Sequence, residues 1–192
     1  MATVSSDNPT GGDNQQETRG DELRRIELDP MWVSGFVDGE GCFSVAIHGN
    51  PYVRRTRGVQ IVPTFQVSQH RSSRWILEQL VSVFGVGRVR DKGRESDVLV
   101  YSVYGVKNIN AHVLPFFDEY PLVVKAHDYW LFSRVVRALH SKAHLEPEGF
   151  ERIVRWAYAM NANGRQRKRT LEEVLWGSSE TVREARATYV AA

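Results

Sequence analysis

The stretch WVSGFVDGEG, residues 32–41, is the most informative part of the chain. Ser34 and Gly35 place two small residues in the middle of a predicted helix, where a glycine costs about 1 kcal/mol relative to alanine. A buried helix tolerates that cost when a second backbone has to approach it closely. The helix is predicted to span Asp29 to Val37, with Asp29 as the N-cap and Pro30 as the first helical residue.

Two acidic residues separated by a glycine follow this helix, in the order Asp38, Gly39, Glu40 and Gly41. A carboxylate at a helix C-terminus lies beside carbonyl groups that have no helical partner, and these oxygens together suit a Mg²⁺ ion. The alternative is an ordinary turn from helix to strand, with glycines in the left-handed conformation and solvated acids around them. On the pattern alone, this turn is the commoner meaning of such a sequence.

Length and composition restrict the class of protein. The 192 residues and 21.9 kDa fit one large domain or two small ones, and 42% apolar with 25% charged residues is typical of a globular protein. No apolar run approaches the ~20 residues that span a bilayer, and the N-terminus lacks a secretory signal pattern. The single cysteine, Cys42, cannot form an internal disulfide. We therefore expect an intracellular protein, in a bacterial cytoplasm or an organelle, that is neither secreted nor membrane-bound.

Charge and apolar residues are unevenly distributed along the chain. Residues 1–22 hold five acids against one arginine and few apolar side chains. Such a segment cannot bury enough surface to offset its ordering entropy, so residues 1–24 are predicted to be a disordered tail. Residues 25–176 are predicted to form a single domain, and residues 177–192 a helical tail.

The basic residues comprise 20 Arg and 5 Lys. Arg suits recognition of phosphate and guanine, although a GC-rich genome would produce the same excess of Arg.

Alternation and capping signals predict two pairs of strands and several helices. In the second strand Ile61, Phe65 and Val67 alternate with mostly polar residues, which is typical of a sheet with one exposed face. The order of elements predicts an α+β fold, an antiparallel sheet with helices on one face. The predicted strands are Cys42–His48, Val59–Gln69, Val86–Lys92 and Asp97–Val106, and the later helices are 72/73–84, Asn108–Glu119, Val124–His140 and Glu148–Met160.

Polar side chains share faces on the predicted strands. Gln and Arg are the side chains that read adenine and guanine edges in the major groove. A solvated sheet face is nevertheless the commoner meaning of such alternation, and the basic run at 165–169 is more often a solvated loop. The shared faces are Gln60, Thr64 and Gln66 on the second strand, and Arg88, Arg90 and Lys92 on the third.

The motif at residues 33–41 resembles the motif of the LAGLIDADG homing endonucleases. Further segments match the single-motif, homodimeric group of this family in register. The similarity is clear over roughly residues 31–125 and looser over 150–174. The matching segments are TFQVSQ at 64–69, Arg74-Trp75, GVG at 85–87, VRD at 89–91, Gly93 and Ser96-Asp97.

The resemblance implies an αββαββα fold whose four-stranded antiparallel sheet forms a saddle for the major groove of double-stranded DNA. It implies a homodimer that cuts a long pseudo-palindromic target with Mg²⁺ or Mn²⁺, leaves 3′ overhangs, and serves intron or intein mobility. We expect no small-molecule substrate and no membrane partner. The other class of function left open is a non-cleaving DNA- or RNA-binding protein of the same fold, such as a splicing maturase or a transcriptional regulator.

The resemblance also implies catalytic roles for individual residues. Glu40 matches the acid that binds the catalytic metal ions, and the carbonyl of Gly39 is the accompanying metal ligand. Gln69 matches a polar residue of the active-site water network, and Lys125 matches a lysine of the family's active-site pocket.

One position departs from the family pattern. Ser73 stands where the family has its pocket arginine. Arg71 and Arg74 are the neighbouring residues that could replace it; otherwise the site would be weaker.

The resemblance finally implies contacts with DNA and with a second chain. Asp38 matches an acid that is structural in the family, and it is expected at the dimer interface with Ser34, Gly35 and Val37. The expected DNA contacts on the sheet are Ser44, Ala46, His48, Gln60, Val62, Thr64, Gln66, Arg88, Arg90, Lys92, Asp97 and Leu99, with Tyr101 on the same surface, and those on the basic loop are Lys168, Arg169 and Thr170.

Overall fold

The computed structural model describes residues 27–50, 52, 58–160 and 169–176. The predicted tails at 1–24 and 177–192, and Lys168 in the basic run, lie outside these residues. Among the helices that it describes, none is long and apolar enough to cross a membrane.

The first helix, α1, spans Pro30–Glu40 and leads directly into the sheet. The predicted cap is confirmed, because the Trp32 N–H donates to the Asp29 carboxylate at 2.9 Å. The helix does not end at Val37, since the glycines after it do not adopt the left-handed conformation. Gly41 is extended, with φ −77° and ψ 157°, and its N–H donates to the Val37 carbonyl. The alternative of a left-handed turn at this point is therefore wrong.

One antiparallel sheet contains four strands: β1 (Gly41–Gly49), β2 (Val59–His70), β3 (Arg88–Asp91) and β4 (Val98–Tyr104). Their order is β1-β2-β4-β3. The pairing places Gln66 of β2 opposite Ser102 of β4, and Arg88 of β3 opposite the same Ser102.

The remaining helices follow the predicted order. They are α2 (Arg74–Phe84), which a 3₁₀ turn at Arg71–Ser73 precedes; α3, which joins Val106–Asn108, Ile109–Val113 and Leu114–Glu119; α4 (Ala126–His140); α5 (Pro147–Ala159); and α6 (Leu171–Trp176). The middle segment of α3 is a π-helical turn. Its position has a local cause, because Pro115 has no N–H and its ring would clash with the Ala111 carbonyl in a regular α-helix.

The helices pack on one face of the sheet through aromatic side chains. Phe43 of β1 stacks on Phe65 of β2, with ring centroids 5.1 Å apart. Phe117 of α3 and Phe132 of α4 approach Phe43 at 5.6 and 5.2 Å, and Phe84 of α2 approaches Phe65 at 5.4 Å. We call this the inner face of the sheet and the opposite side the outer face. The predicted α+β fold, with a four-stranded antiparallel sheet and helices on one face, is confirmed.

The inward side of α1 consists of Val33, Ser34 and Val37, which are buried within the chain itself. The Ser34 hydroxyl donates to the carbonyl oxygens of Tyr120 and Pro121 at 2.9 and 3.2 Å. A buried hydroxyl needs such a partner, so Ser34 joins the helix to the segment that leads into α4.

Asp38 makes the second connection between α1 and this segment. Its carboxylate accepts the backbone N–H groups of Val123, Val124 and Lys125 at 2.9, 2.7 and 2.7 Å. Partial burial raises the pKa of Asp38, but these three donors and the Lys125 ammonium outweigh burial and hold the pKa below its ordinary value. The three N–H groups directly precede α4, so an anion there also interacts favourably with the dipole of that helix.

Gly41 has no room for a larger side chain. A methyl group on it would lie 2.5 Å from Val37 Cγ1 and 2.6 Å from the Val37 carbonyl oxygen. Gly41→Ala should therefore lower the free energy of unfolding by about 1–3 kcal/mol, as measured by urea denaturation. Gly49→Ala at the other end of β1 is the control, because a methyl there meets no described atom within 4 Å. Equal stability of the two variants would contradict this account of the junction.

Asp38→Asn should lower the free energy of unfolding by about 1–2 kcal/mol at neutral pH, because an amide offers the three donors one oxygen and no charge. Since folding lowers the pKa of Asp38, its contribution is complete above the unfolded pKa of about 3.9 and is lost as the pH falls through the folded pKa. The stability difference from wild type should be constant between about pH 5 and 7 and shrink below about pH 4. Urea denaturation across this range measures it, with Glu95→Gln in the exposed turn between β3 and β4 as control. A difference that stays unchanged at about pH 3 would refute this role of Asp38.

Candidate active site and nucleic-acid interface

Three of the residues predicted to act in catalysis or metal binding meet at the C-terminal end of α1. The Lys125 ammonium donates to the carbonyl oxygens of Asp38 and Gly39, the latter at 3.0 Å. These carbonyls belong to the last turn of the helix, where oxygens lack intrahelical partners. Glu40 is the final residue of α1 and is exposed. A carboxylate, a carbonyl oxygen and an ammonium group therefore lie within one turn of the junction between α1 and β1.

Gln69 lies at the same end of the sheet. Gly41, which follows Glu40, pairs with Val67 of β2, two residues before Gln69. Gln69 is half-buried and pairs with Leu99 of β4. The register of β1 and β2 thus places the fourth predicted residue at this end of the sheet, although it is 29 positions from Glu40 in the sequence.

The oxygen atoms at this junction fit a hard divalent cation but do not complete its coordination. Mg²⁺ prefers six oxygen ligands. Glu40 supplies a carboxylate, and the Gly39 carbonyl keeps a second lone pair beside the bond from Lys125. Within the described part of the chain, no three His, Cys, Asp or Glu residues come together as a metal site. Further ligands would have to come from water, phosphate oxygens or a second chain.

Two arginines flank Ser73, the position of the missing pocket arginine. Ser73 occupies the N-cap position of α2. Arg71 forms an ion pair with Asp91 of β3, and Arg74 forms one with Glu78 at 2.7 Å. Both guanidinium groups are thus engaged with surface carboxylates.

Most of the predicted DNA contacts share the outer face of the sheet. The cross-strand pairs Ser44–Thr64 and His48–Gln60 place β1 and β2 residues side by side, and Arg90 pairs with Val100 of β4. Lys92 and Asp97 are exposed in the turn between β3 and β4. The predicted residues on the outer face of the strands are Ser44, Ala46, His48, Gln60, Val62, Thr64, Gln66, Arg88 and Arg90.

The prediction that Leu99 and Tyr101 lie on this surface is wrong. Both are 0% exposed and belong to the core on the inner face, and the Tyr101 hydroxyl donates to the Val86 carbonyl at 2.7 Å. The strand VLVYSVY is apolar on both sides, so alternation does not identify its inner face, and a shift by one residue reverses every side chain. The outer face instead carries Ser102 and Tyr104, which are not among the predicted contacts. The spacing of these two polar groups, two positions apart, was the sequence signal that could have placed them on one side of the strand.

The C-terminal basic residues make contacts within the chain. The Arg169 guanidinium donates to the Glu173 carbonyl at 3.0 Å. Thr170 and Glu173 form a reciprocal cap at the start of α6: the Thr170 N–H donates to the Glu173 carboxylate, and the Glu173 N–H donates to the Thr170 hydroxyl. Their contact with phosphate stays a prediction, and Lys168 lies outside the described residues.

The predicted dimer contacts divide between two sides of α1. Ser34 and Val37 are 3% and 0% exposed within the single chain. Their prediction as contacts with a second chain is wrong, because they face the chain's own core. Gly35 is exposed on the opposite side of the helix, where a methyl on it would meet no described atom within 4 Å. Asp38 is half-buried and binds segment 123–125.

The outward side of α1 adjoins an exposed apolar surface. Met31 and Trp32 are about half exposed, and Trp32 stacks on Phe36 at 5.1 Å. Val123 and Val124, which the Asp38 carboxylate holds beside α1, are 83% and 82% exposed. Adjacent exposed apolar side chains of this kind mark a surface for protein association.

Comparison with known proteins agrees with this architecture. The DNA endonuclease I-CreI of Chlamydomonas reinhardtii is 32% identical over 146 residues, which cover 75% of this chain and 85% of that protein. The crystal structure of the homing endonuclease I-TnaI has 35% identity and a TM-score of 0.69, covering 78% of this chain and 99% of that one. The archaeal intron-encoded homing endonuclease I-Vdi141I, solved in complex with DNA, has 26% identity and a TM-score of 0.70, covering 83% and 96%.

Other relatives are longer, since the chain spans about a quarter of the length of curated intron-encoded proteins from Podospora anserina and Neurospora crassa. The family model for LAGLIDADG endonucleases matches residues 33–136, which is more than half of the chain. The matched region runs from the inward side of α1 through the whole sheet to α4. The chain therefore belongs to the LAGLIDADG endonuclease family.

Proposed function

We propose that this chain is a site-specific endonuclease that cuts double-stranded DNA as a homodimer with Mg²⁺ or Mn²⁺. The observation that carries the proposal is the meeting of Glu40, the Gly39 carbonyl and Lys125 at one end of a sheet whose outer face carries Gln and Arg side chains. Solved relatives named homing endonucleases share the fold, and one of them was solved with DNA.

The outer face would bind the major groove. Arg88 and Arg90 on β3 present the side chains that suit guanine, and Gln60 and Gln66 on β2 those that suit adenine. Phosphate contacts, including the proposed ones of Lys168, Arg169 and Thr170, would add affinity that is independent of sequence and sensitive to salt.

The α1–β1 junction would perform the chemistry. A bound Mg²⁺ polarises a phosphate and lowers the pKa of a water ligand. Glu40 and the Gly39 carbonyl would hold this ion, Lys125 would offset negative charge that develops on the phosphate, and Gln69 would orient water. Because one chain supplies one Glu40, cutting both strands calls for two chains. The family resemblance further implies a staggered cut with 3′ overhangs and a role in intron or intein mobility.

A non-cleaving DNA- or RNA-binding protein of the same fold, such as a maturase or a regulator, is the second candidate. One observation favours it: Ser73 replaces the pocket arginine, while Arg71 and Arg74 are paired with Asp91 and Glu78. Wild-type protein that binds its DNA target but never cuts it in Mg²⁺ or Mn²⁺ would establish this alternative.

Glu40→Gln should abolish cleavage while it preserves DNA binding. The amide keeps the shape of the side chain but removes the charge that attracts the cation, so the cleavage rate should fall by at least about 100-fold. Affinity should persist, because it depends on Arg and Lys contacts elsewhere. A cleavage time course in Mg²⁺ beside a binding titration in Ca²⁺ measures both, with Glu148→Gln on α5 as the matched control. Cleavage by Glu40→Gln at the wild-type rate would refute the metal assignment.

Gly35→Leu should convert the dimer into a monomer. Gly35 lies on the outward side of α1 next to exposed Met31 and Trp32, so a leucine there would overpack a helix-to-helix contact at a cost of about 1–3 kcal/mol for each inserted group. Sedimentation at micromolar concentration measures the association state, and Ala159→Leu at an exposed position of α5 is the control. Wild-type protein that is monomeric at this concentration, with or without DNA, would contradict the dimer.

A further inference from the structure

A tyrosine on the outer face joins two of the side chains that are proposed to read bases. The Arg90 guanidinium donates to the hydroxyl oxygen of Tyr104 and lies over its ring, 5.3 Å from the centroid. The Gln66 amide nitrogen donates to the same hydroxyl at 3.3 Å and to the Ser102 hydroxyl at 3.1 Å. One phenol group therefore links β2, β3 and β4 on the outer face.

We propose that Tyr104 is a positioning residue that sets the base preference of the outer face, by orienting the amide of Gln66 and the guanidinium of Arg90. The inference rests on the proposed function, because it requires that this face binds DNA.

The contacts of Gln66 decide which group it presents to a base. A glutamine amide has two N–H donors and one carbonyl acceptor. Both donors of Gln66 are directed within the sheet, to Tyr104 and Ser102. The remaining group is the carbonyl oxygen, which can only accept a hydrogen bond. In the major groove the donors are the amino groups of adenine and cytosine, so Gln66 would favour either of these two bases over guanine and thymine.

The burial of Ser102 keeps Gln66 in this orientation. Ser102 is 1% exposed, so a Gln66 amide that swung out to a base would remove a partner from a hydroxyl that water does not reach. Leaving a buried polar group without its partner is costly. The usual bidentate contact between glutamine and adenine needs an amide N–H as well as the carbonyl, and this geometry therefore disfavours it.

Arg90 keeps enough donors for a guanine after its bond with Tyr104. The guanidinium carries five N–H groups in a planar fork, and a bidentate contact with guanine uses two of them. The cation–π contact with the Tyr104 ring and the bond to its hydroxyl restrict the long side chain before DNA arrives. Binding then loses less side-chain entropy, which corresponds to roughly a two- to tenfold gain in affinity for the correct base.

Tyr104→Phe tests the inference, because it removes the hydroxyl and keeps the ring beneath Arg90. Double-stranded DNA would be selected from a random library in Ca²⁺, and each base pair of the selected site would then be varied singly in binding titrations. At the base read by Gln66, discrimination against guanine and thymine should fall roughly three- to tenfold, since a released N–H can donate to their acceptors. At the guanine read by Arg90, the preference should fall roughly two- to tenfold. Affinity for unrelated DNA should not change.

Tyr101→Phe is the matched control. It makes the same change on the same strand, but Tyr101 faces the core and donates to the Val86 carbonyl, so its base preferences should equal those of wild type. Gln66→Glu is a second probe, because a carboxylate has acceptors and no donors. It should bind DNA more weakly in general while it keeps the preference for adenine and cytosine.

The outcomes separate this inference from the proposed function. A wild-type protein that binds DNA without sequence preference would overturn the proposed site-specific function, and the inference with it. A wild-type protein with a clear preference, together with an unchanged profile for Tyr104→Phe, would overturn the inference alone. Loss of the adenine and cytosine preference in Gln66→Glu would also overturn it, because the acceptor would then not be the group that reads the base.

Discussion

The carboxylate of Asp38 makes the contact on which the arrangement of the site depends. It accepts three consecutive backbone N–H groups from a segment about 85 residues away in the sequence. Placing a carboxylate at a protein surface partly out of water is unfavourable, but three donors and a nearby ammonium outweigh that cost. Lys125 completes the arrangement by donating to the carbonyls of Asp38 and Gly39. These hydrogen bonds fix the end of α1 against the start of α4. Glu40 lies two residues after Asp38 and is positioned by the same contacts.

The same helix serves the core, the site and the proposed dimer through different sides. Val33, Ser34 and Val37 face the chain's own core, while Gly35 faces outward. This division explains why two small residues are adjacent but have different roles. The Ser34 hydroxyl binds the carbonyls of Tyr120 and Pro121. Gly35 has no side chain that would keep a second helix at a distance from the outward side of α1. Helical residues one position apart point about 100° from each other.

The two faces of the sheet obey different physical constraints. On the inner face, rings such as Phe43 and Phe65 pack in contact, and their identity matters mainly for volume. On the outer face, Gln66, Ser102 and Tyr104 form a hydrogen-bonded group in which the direction of each donor matters. Stability depends mostly on the first face, whereas recognition by base edges would depend on the second. A change that is silent for folding would therefore alter the proposed base recognition.

Local chemistry in the sequence determined the start of α1, the approximate strand positions and the α+β class. The Asp29 cap joins two residues that are three positions apart, and the alternation along β2 identifies the polar side of that strand. Both features could therefore be predicted from the sequence. The resemblance further predicted catalytic roles for Glu40, Gln69 and Lys125, which the structure brings to one end of the sheet. Tertiary structure decided which side of β4 faces the core, because Leu99 and Val100 are equally apolar, the polar residues Tyr101 and Ser102 lie on opposite sides, and the register with β2 distinguishes the two sides. It likewise decided that Ser34 turns inward and that Asp38 binds segment 123–125, since both contacts join residues far apart in the chain and no local pattern encodes such a pairing.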